Sequence, residues 1–170
     1  MRPRRPTRVE WAAMLALVTA SRGTCIRRQV GCVLLDHRGH VLSTGYNGPA
    51  AGMQHCIDVP CAGANYASGR GLDACQAIHA EQNALLQCPN IYDIKTCCVT
   101  TSPCMHCAKL LMNTSCQEIF FLEPYPESNA VRDLWLSTNN QRRATTKSKE
   151  RIWIHLDLDF HFFDEIVQPI

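Results

Sequence analysis

The chain has 170 residues, 46% of them hydrophobic and 19% charged, with a formal net charge of +2. This length suits a single domain with its own core, and so weak a charge argues against a nucleic-acid-binding surface, which needs a strongly basic domain. No apolar run approaches the roughly 18 residues that span a bilayer, and no signal-peptide core follows the basic N-terminus, so we expect one cytoplasmic domain over residues 1–170 with no membrane or nucleic-acid partner.

Helices and strands alternate along the chain. Thr7 and Glu10 have the spacing of a capping box, and the apolar period after them predicts a helix to about Ser21. The remaining predicted elements are strands at 30–35 and 41–44, a helix at 77–87, a strand at 96–101, a helix at 103–113, a strand at 118–122, a helix at 131–136 and a strand at 151–156. The strand–helix–strand passages should form right-handed parallel crossovers, which predicts a three-layer α/β domain.

The stretch at 46–75, called the insert below, interrupts this alternation. It is rich in Gly and Pro and lacks a periodic pattern. Compact domains rarely carry so long a loop unless it is functional or held in place. Because it contains Cys56, Cys61 and Cys75, we predict that a metal ion holds it.

The chain contains eleven cysteines, an odd number. A disulfide framework is not expected, because the cytosol keeps thiols reduced and a chain of this length has a core of its own. The cysteines are therefore interpreted as metal ligands or as small buried apolar residues.

Two short motifs open the second and third predicted helices: His-Ala-Glu at 79–81 and Pro-Cys-Met-His-Cys at 103–107. Cys104 and Cys107 are three residues apart, so on a helix they share a face and can bind one ion, with His79 as the third ligand. Three protein ligands leave the fourth tetrahedral position to water, as in a catalytic zinc site. This H-x-E…P-C-x-x-C pattern is the signature of zinc-dependent deaminases.

In the mechanism that this pattern implies, zinc lowers the pKa of the water molecule bound to it toward about 7. Glu81 then accepts a proton from the water, passes it to the ring nitrogen during attack on the amine-bearing carbon, and protonates the departing ammonia. A thioredoxin-like redox role for Cys104 and Cys107 would leave His79 and Glu81 without a function.

From about Ala12 to Pro126 the sequence resembles the deoxycytidylate (dCMP) deaminases of the bacterial and phage type. Besides the two motifs above, the resemblance rests on Arg-Arg-Gln-Val-Gly at 27–31, Gly-Tyr-Asn-Gly-Pro at 45–49 and His-Cys at 55–56. It implies a three-layer α-β-α cytidine-deaminase-like fold with a five-stranded mixed sheet, a core at about 7–126 and a divergent C-terminal segment at 127–170. It also implies a homo-hexamer that hydrolyses dCMP to dUMP and ammonia for thymidylate synthesis, in the host cytoplasm if a phage encodes it.

The resemblance further implies the residues that bind the substrate. By this comparison Asn47 contacts the deoxyribose 3′-hydroxyl, the backbone of Ala80 contacts the base, and Tyr125 closes the pocket. Arg27 and Arg28, beside the first strand, are the candidates for the 5′-phosphate.

Regulation is a further implication of the resemblance. Many members are activated by dCTP and inhibited by dTTP, with Mg²⁺, at a site between subunits near Gly45, Tyr46, Asn47 and Gly48. Because these four residues are present, we expect the same effectors to be able to act here.

A second, structural zinc is also implied. Its ligands by comparison are Cys25, Cys56, Cys61 and Cys75, with His55 as the alternative to Cys61. Four protein ligands occupy all four positions of a tetrahedral zinc and leave none for water or substrate.

Three other functions stay open at this point. The substrate could instead be 5-methyl-dCMP, 5-hydroxymethyl-dCMP or dCTP, because the sequence does not define the pocket volume at C5 of the base. A tRNA adenosine deaminase shares the zinc motifs, but the near-neutral charge and the insert favour a nucleotide substrate. A non-catalytic zinc scaffold would leave Glu81 without a role.

Overall fold

The computed structural model describes residues 4–67, 69–143 and 150–158. Over these residues, the α-helices and β-strands alternate in the order predicted from the sequence. The helices are α1 (Arg8–Ala20), α2 (Ala80–Gln87), α3 (Met105–Met112) and α4 (Ser128–Arg143). The strands are β1 (Gly31–Leu35), β2 (Val41–Tyr46), β3 (Thr96–Thr101), β4 (Glu118–Glu123) and β5 (Ile152–His155), and a short 3₁₀ turn, Leu72–Ala74, lies in the insert.

The predicted boundaries of α2 and α3 were wrong at their N-termini. α2 begins at Ala80, three residues after the predicted start, and α3 begins at Met105. His79 and Cys104 are the N-cap residues, with extended backbones. Both predicted ligands therefore lie where a helix begins and its first N–H groups point outward.

The five strands form one mixed sheet in the order β2-β1-β3-β4-β5. β1 is antiparallel to β2 and β3, whereas β3, β4 and β5 run parallel. β1 and β3 are buried along their whole length, as is typical of central strands covered on both faces. The predicted mixed sheet is confirmed.

Helices cover both faces of this sheet, which confirms the three-layer architecture. On one face, α1 packs against the sheet through small residues, namely Ala12 and Ala16 with Val33, Leu35 and Cys98. The opposite face is covered by α2, α3 and α4, and its core includes Ala80, Ala84, Leu111, Ile119 and Trp135. No helix of the described residues is long and apolar enough to cross a membrane.

The first turn of α1 has the capping box that the sequence predicted. Thr7 Oγ1 accepts a hydrogen bond from the Glu10 amide at 3.2 Å, and Glu10 Oε2 accepts one from the Thr7 amide at 2.7 Å. Arg4 donates two further hydrogen bonds to the Glu10 carboxylate. The bond from Arg4, followed by that from the Thr7 amide, lowers the pKa of Glu10 to about 2.

Gly45 allows α2 to pack with its backbone directly on β2. A Cβ atom at this position would overlap the carbonyl oxygen of Ala80 and the amide nitrogen of Ala84. Since Ala80 and Glu81 form the first turn of α2, this contact sets the distance of the catalytic motif from the sheet. Gly45 therefore has a packing function, whatever its part in the predicted effector site.

We predict that Gly45→Ala lowers the free energy of unfolding by about 1–3 kcal/mol, because rigid backbone on α2 must move to admit the methyl group. Gly48→Ala is the matched control: its Cβ would meet only the Thr24 hydroxyl at 3.0 Å and a Tyr46 ring atom at 3.9 Å. Urea unfolding of both variants checks this, and equal effects at the two positions would contradict it.

Candidate metal centre and active site

The side chains of His79, Cys104 and Cys107 meet where α2 and α3 begin. β2 and β3 run in the same direction, because each is antiparallel to β1. The helices that follow these two strands therefore both begin at the same edge of the sheet, the usual ligand-binding edge of α/β folds. His79 Nδ1 lies 3.4 Å from Cys104 Sγ and 3.5 Å from Cys107 Sγ.

The spacing and chemistry of these three side chains fit zinc. With Zn–N bonds of about 2.0–2.1 Å and Zn–S bonds of about 2.3 Å, a tetrahedral ion holds N and S ligands about 3.6 Å apart. The two N–S distances in the structure agree with this value to within about 0.2 Å. Among the described residues, this is the one group of three or more His, Cys, Asp or Glu whose ligand atoms all lie within 4.8 Å of one another.

The hydrogen bond between the two cysteines shifts their pKa values in opposite directions. The hydrogen bond from Cys107 lowers the pKa of the Cys104 thiol, and His79 acts in the same direction. The pKa of Cys107 is raised in turn, first by this hydrogen bond with Cys104 and then by burial. A bound cation replaces the shared protons, so both residues can bind it as thiolates.

Glu81 lies in the first turn of α2 and is only 3% exposed. Burial raises the pKa of its carboxyl to about 7, although the nearby His79 works in the opposite direction. A carboxyl with this pKa accepts and releases protons readily near neutral pH, as a general acid–base residue must.

A cavity lies beside this group, and Glu81 forms part of its wall. The five residues predicted to bind substrate all line it, at four separate places in the chain: Arg27, Arg28, Asn47, Ala80 and Tyr125. The structure thus brings the predicted set together, while the role of each member in binding stays a prediction.

Asn47 holds the backbone that carries the two arginines. Its side chain is buried; Oδ1 accepts a hydrogen bond from the Val30 amide at 2.8 Å, and Nδ2 donates one to the Arg28 carbonyl at 2.7 Å. This fixes the segment before β1 against the end of β2. Its predicted contact with the deoxyribose is additional to this structural role.

The two adjacent arginines have different environments. Arg28 Nη1 lies 3.5 Å from a Glu123 carboxylate oxygen and 3.4 Å from the Thr101 hydroxyl, and its side chain is 35% exposed. The Arg27 guanidinium instead donates hydrogen bonds to three carbonyl groups of the insert. The sequence alone does not distinguish them.

Ser102 has a positioning role that the sequence analysis did not assign. It is buried and lines the cavity; its hydroxyl accepts a hydrogen bond from the Tyr125 amide at 2.8 Å and lies 3.2 Å from the Ser128 hydroxyl. Its position directly before the Pro-Cys motif was the signal that could have drawn attention to it.

Four cysteines from the insert and its flanks surround a second, smaller cavity: Cys25, Cys56, Cys61 and Cys75. The sulfur atoms of Cys56 and Cys61 are 3.7 Å apart. The backbone amide of Gln76 lowers the pKa of Cys61, whereas burial raises that of Cys75. These four do not meet the 4.8 Å spacing of the first group.

His55, the alternative fourth ligand, is exposed, and its Nδ1 lies 3.2 Å from the Thr24 hydroxyl. Four of the other cysteines, namely Cys32, Cys97, Cys98 and Cys116, are buried in the core, as predicted for small apolar residues. Two parts of the predicted C-terminal segment, 144–149 and 159–170, lie outside the described residues.

The family model for the cytidine and deoxycytidylate deaminase zinc-binding region matches residues 6–123. The deoxycytidylate deaminase of Mycobacterium phage D29 is 36% identical over 125 residues, which cover 69% of this chain and 95% of the phage protein. That of Saccharomyces cerevisiae is 32% identical over 123 residues, or 71% of this chain and 39% of the yeast protein. The chain thus spans less than half the length of this yeast relative.

The crystal structure of dCMP deaminase from the cyanophage S-TIM5, in complex with dCMP and dUMP, has the same fold. It superposes with a TM-score of 0.60 at 21% sequence identity and covers 79% of this chain and 93% of the phage chain.

We predict that Cys107→Ala loses one zinc ion per chain relative to the wild type, because two protein ligands hold zinc far more weakly than three. Cys98→Ala is the matched control, since it removes another buried thiol from the core. Elemental analysis of the purified proteins, with circular dichroism to verify folding, checks this. Unchanged zinc content in folded Cys107→Ala would show that the ion binds elsewhere.

Proposed function

The chain belongs to the cytidine and deoxycytidylate deaminases that share this zinc-binding region, and on that premise we propose that it hydrolyses dCMP to dUMP and ammonia, supplying dUMP for thymidylate synthesis. The observation that carries the proposal is the group of His79, Cys104 and Cys107, because His79 and Cys104 of this group line one cavity with the buried Glu81 and with Arg28. This combination supplies a metal site, a proton carrier and a cation for a phosphate.

His79, Cys104 and Cys107 would hold a zinc ion, which would act as a Lewis acid and lower the pKa of a bound water molecule so that it can be deprotonated at neutral pH. Glu81 accepts the proton that the attacking water loses and donates it to the ring nitrogen of cytosine. It then transfers the second proton of the water to the leaving amine, which departs as ammonia. The backbone of Ala80, at the first position of α2, is the proposed contact to the base.

Burial matters for this proton transfer. Because Glu81 is 3% exposed, bulk water competes little for its proton. The raised pKa, about 7, makes this carboxylate a stronger proton acceptor than an exposed glutamate.

Arg28 is the proposed donor to the 5′-phosphate. Its contacts to Glu123 and Thr101 are long, and an exposed ion pair of this kind contributes at most about 1 kcal/mol. A phosphate that binds a guanidinium through two hydrogen bonds can replace them.

We also propose a structural zinc bound by Cys25, Cys56, Cys61 and Cys75. All four line one cavity, and the 3.7 Å between Cys56 and Cys61 is close to the about 3.8 Å between thiolates on a tetrahedral zinc. Cys61 is favoured over His55 as the fourth ligand, because the His55 ring is hydrogen-bonded to Thr24 and does not line this cavity.

Control by dCTP and dTTP with Mg²⁺, and assembly into a homo-hexamer, stay predictions that rest on the family resemblance. Of the four residues predicted for the effector site, Gly45 already serves helix packing and Asn47 already holds the segment before β1. Substituting either residue would also disturb helix packing or the segment before β1, so a change in activity could not be assigned to regulation alone.

We predict that Glu81→Gln retains zinc but loses kcat by at least about 10²-fold, because the amide cannot carry the proton. Ammonia release from dCMP, deoxycytidine, 5-methyl-dCMP, dCTP and a tRNA substrate, assayed side by side, measures both this loss and the substrate preference. Glu118→Gln is the control, since Glu118 lies at the start of β4 and pairs with Lys95. Turnover by zinc-replete Glu81→Gln, or a preference for another substrate, would refute the corresponding part of the proposal.

If the second zinc is present, we predict about two zinc ions per chain in the wild type and about one in Cys61→Ala, because each of the two sites holds a single ion. Cys88→Ala removes a half-buried cysteine that is not a proposed ligand and should leave the content unchanged. A wild-type content near one zinc per chain would rule the second site out.

A further inference from the structure

We infer that Arg27 is a positioning residue, which holds part of the insert in place as one wall of the active-site cavity. The part concerned comprises residues 63–67 and 69–71, called the 63–71 segment below. The inference rests on the proposed function for the identity of the cavity and deepens it, because it separates the two adjacent arginines by role.

The 63–71 segment has little regular structure to hold it. Among the described residues, its backbone hydrogen bonds are local: Ala64 donates to the carbonyl of Cys61, Tyr66 to that of Gly63 and Arg70 to that of Ala67, and the Gly71 carbonyl accepts from Ala74. All of these bonds stay within the insert, and none joins the segment to the sheet. Such a segment needs contacts from side chains elsewhere in the fold if it is to keep one position.

Arg27 supplies such contacts. Its Nη1 donates to the Gly63 carbonyl at 3.1 Å, and its Nη2 donates to the carbonyls of Ala67 and Arg70 at 2.7 and 3.0 Å. The guanidinium thus joins the segment to the loop before β1, across 36 to 43 residues of sequence. Hydrogen bonds from a charged donor are stronger than neutral ones.

The segment reaches the cavity at Gly69, which lines it together with Arg27 and Tyr125. Gly69 has a left-handed φ of +80° that favours glycine. A Cβ atom on Gly69 would lie 3.7 Å from the Tyr125 hydroxyl and 3.5 Å from Pro126 Cγ. The segment therefore contacts Tyr125 and contributes to the cavity wall.

Because of these same bonds, Arg27 is poorly available as a hydrogen-bond donor to a phosphate. A guanidinium has five N–H groups, and three of those on Arg27 are engaged, including both on Nη2. A phosphate could take the paired Nη1 and Nη2 donors only by releasing the segment from Arg27. Arg28 instead contacts Thr101 and Glu123, which lie outside the insert.

The test compares Arg27→Ala and Arg27→Lys with Arg28→Ala and with a control, Arg22→Ala. Arg22 is exposed, and its guanidinium lies 6.0 Å from the centre of the Tyr46 ring. Hydrogen–deuterium exchange follows the 63–71 segment, and limited trypsin digestion follows cleavage after Arg70, which lies inside it. Turnover of dCMP and of deoxycytidine is measured in parallel.

For Arg27→Ala, we expect exchange within the segment and cleavage after Arg70 to increase about tenfold, the factor that corresponds to one lost charge-assisted hydrogen bond. Exchange in the sheet should stay unchanged, and Arg27→Lys should give an intermediate result because an ammonium reaches fewer carbonyls. The values of kcat/KM for dCMP and deoxycytidine should fall by the same factor. For Arg28→Ala, only the value for dCMP should fall.

Two results would overturn the inference. If Arg27→Ala raised KM for dCMP alone and left exchange unchanged, Arg27 would be a phosphate ligand. If exchange rose equally across the whole sheet, Arg27 would be a general structural residue. If Arg27→Ala does not fold, the exchange and kinetic measurements on Arg27→Lys distinguish these roles instead. The exchange and digestion measurements need no substrate, so they still test the role of Arg27 if the chain turns over neither compound.

Discussion

The close packing of α2 on β2 is the constraint on which the site depends. Because Gly45 has no side chain, the first turn of α2 lies directly on the strand, and this sets where His79 and Glu81 stand. The third and fourth strands then bring α3, and with it Cys104 and Cys107, to the same edge of the sheet. The metal group is therefore a consequence of helix packing rather than of a dedicated loop.

The same arrangement accounts for the proton chemistry. Glu81 is buried where α2 packs on the sheet, and this burial is the main reason why the pKa of its carboxyl rises to about 7. A single packing contact thus influences both the position of the metal ligands and the acidity of the residue that moves protons beside them.

The insert contributes Asn47, Gly69 and Cys75 to the cavity wall and is joined to the fold at separate points. A bridge pairs Gly48, near its start, with Ile78, just after its end; Arg27 binds the 63–71 segment, and four cysteines line the small cavity. Each of these contacts links residues far apart in the chain. A long loop without regular secondary structure can keep a defined shape in this way, since it has few backbone bonds to the sheet.

By itself, the sequence determined the order of helices and strands, the capping box of α1 and the identity of the metal group, because these depend on residue type and on spacing over a few positions. It missed that His79 and Cys104 cap their helices, since local patterns define a helix end only to within a few residues. Only the tertiary structure separated Arg27 from Arg28 and gave Asn47 its hydrogen bonds. Adjacent arginines are equivalent in sequence, and what distinguishes them is a set of contacts to residues at least 36 positions away, which no local pattern contains.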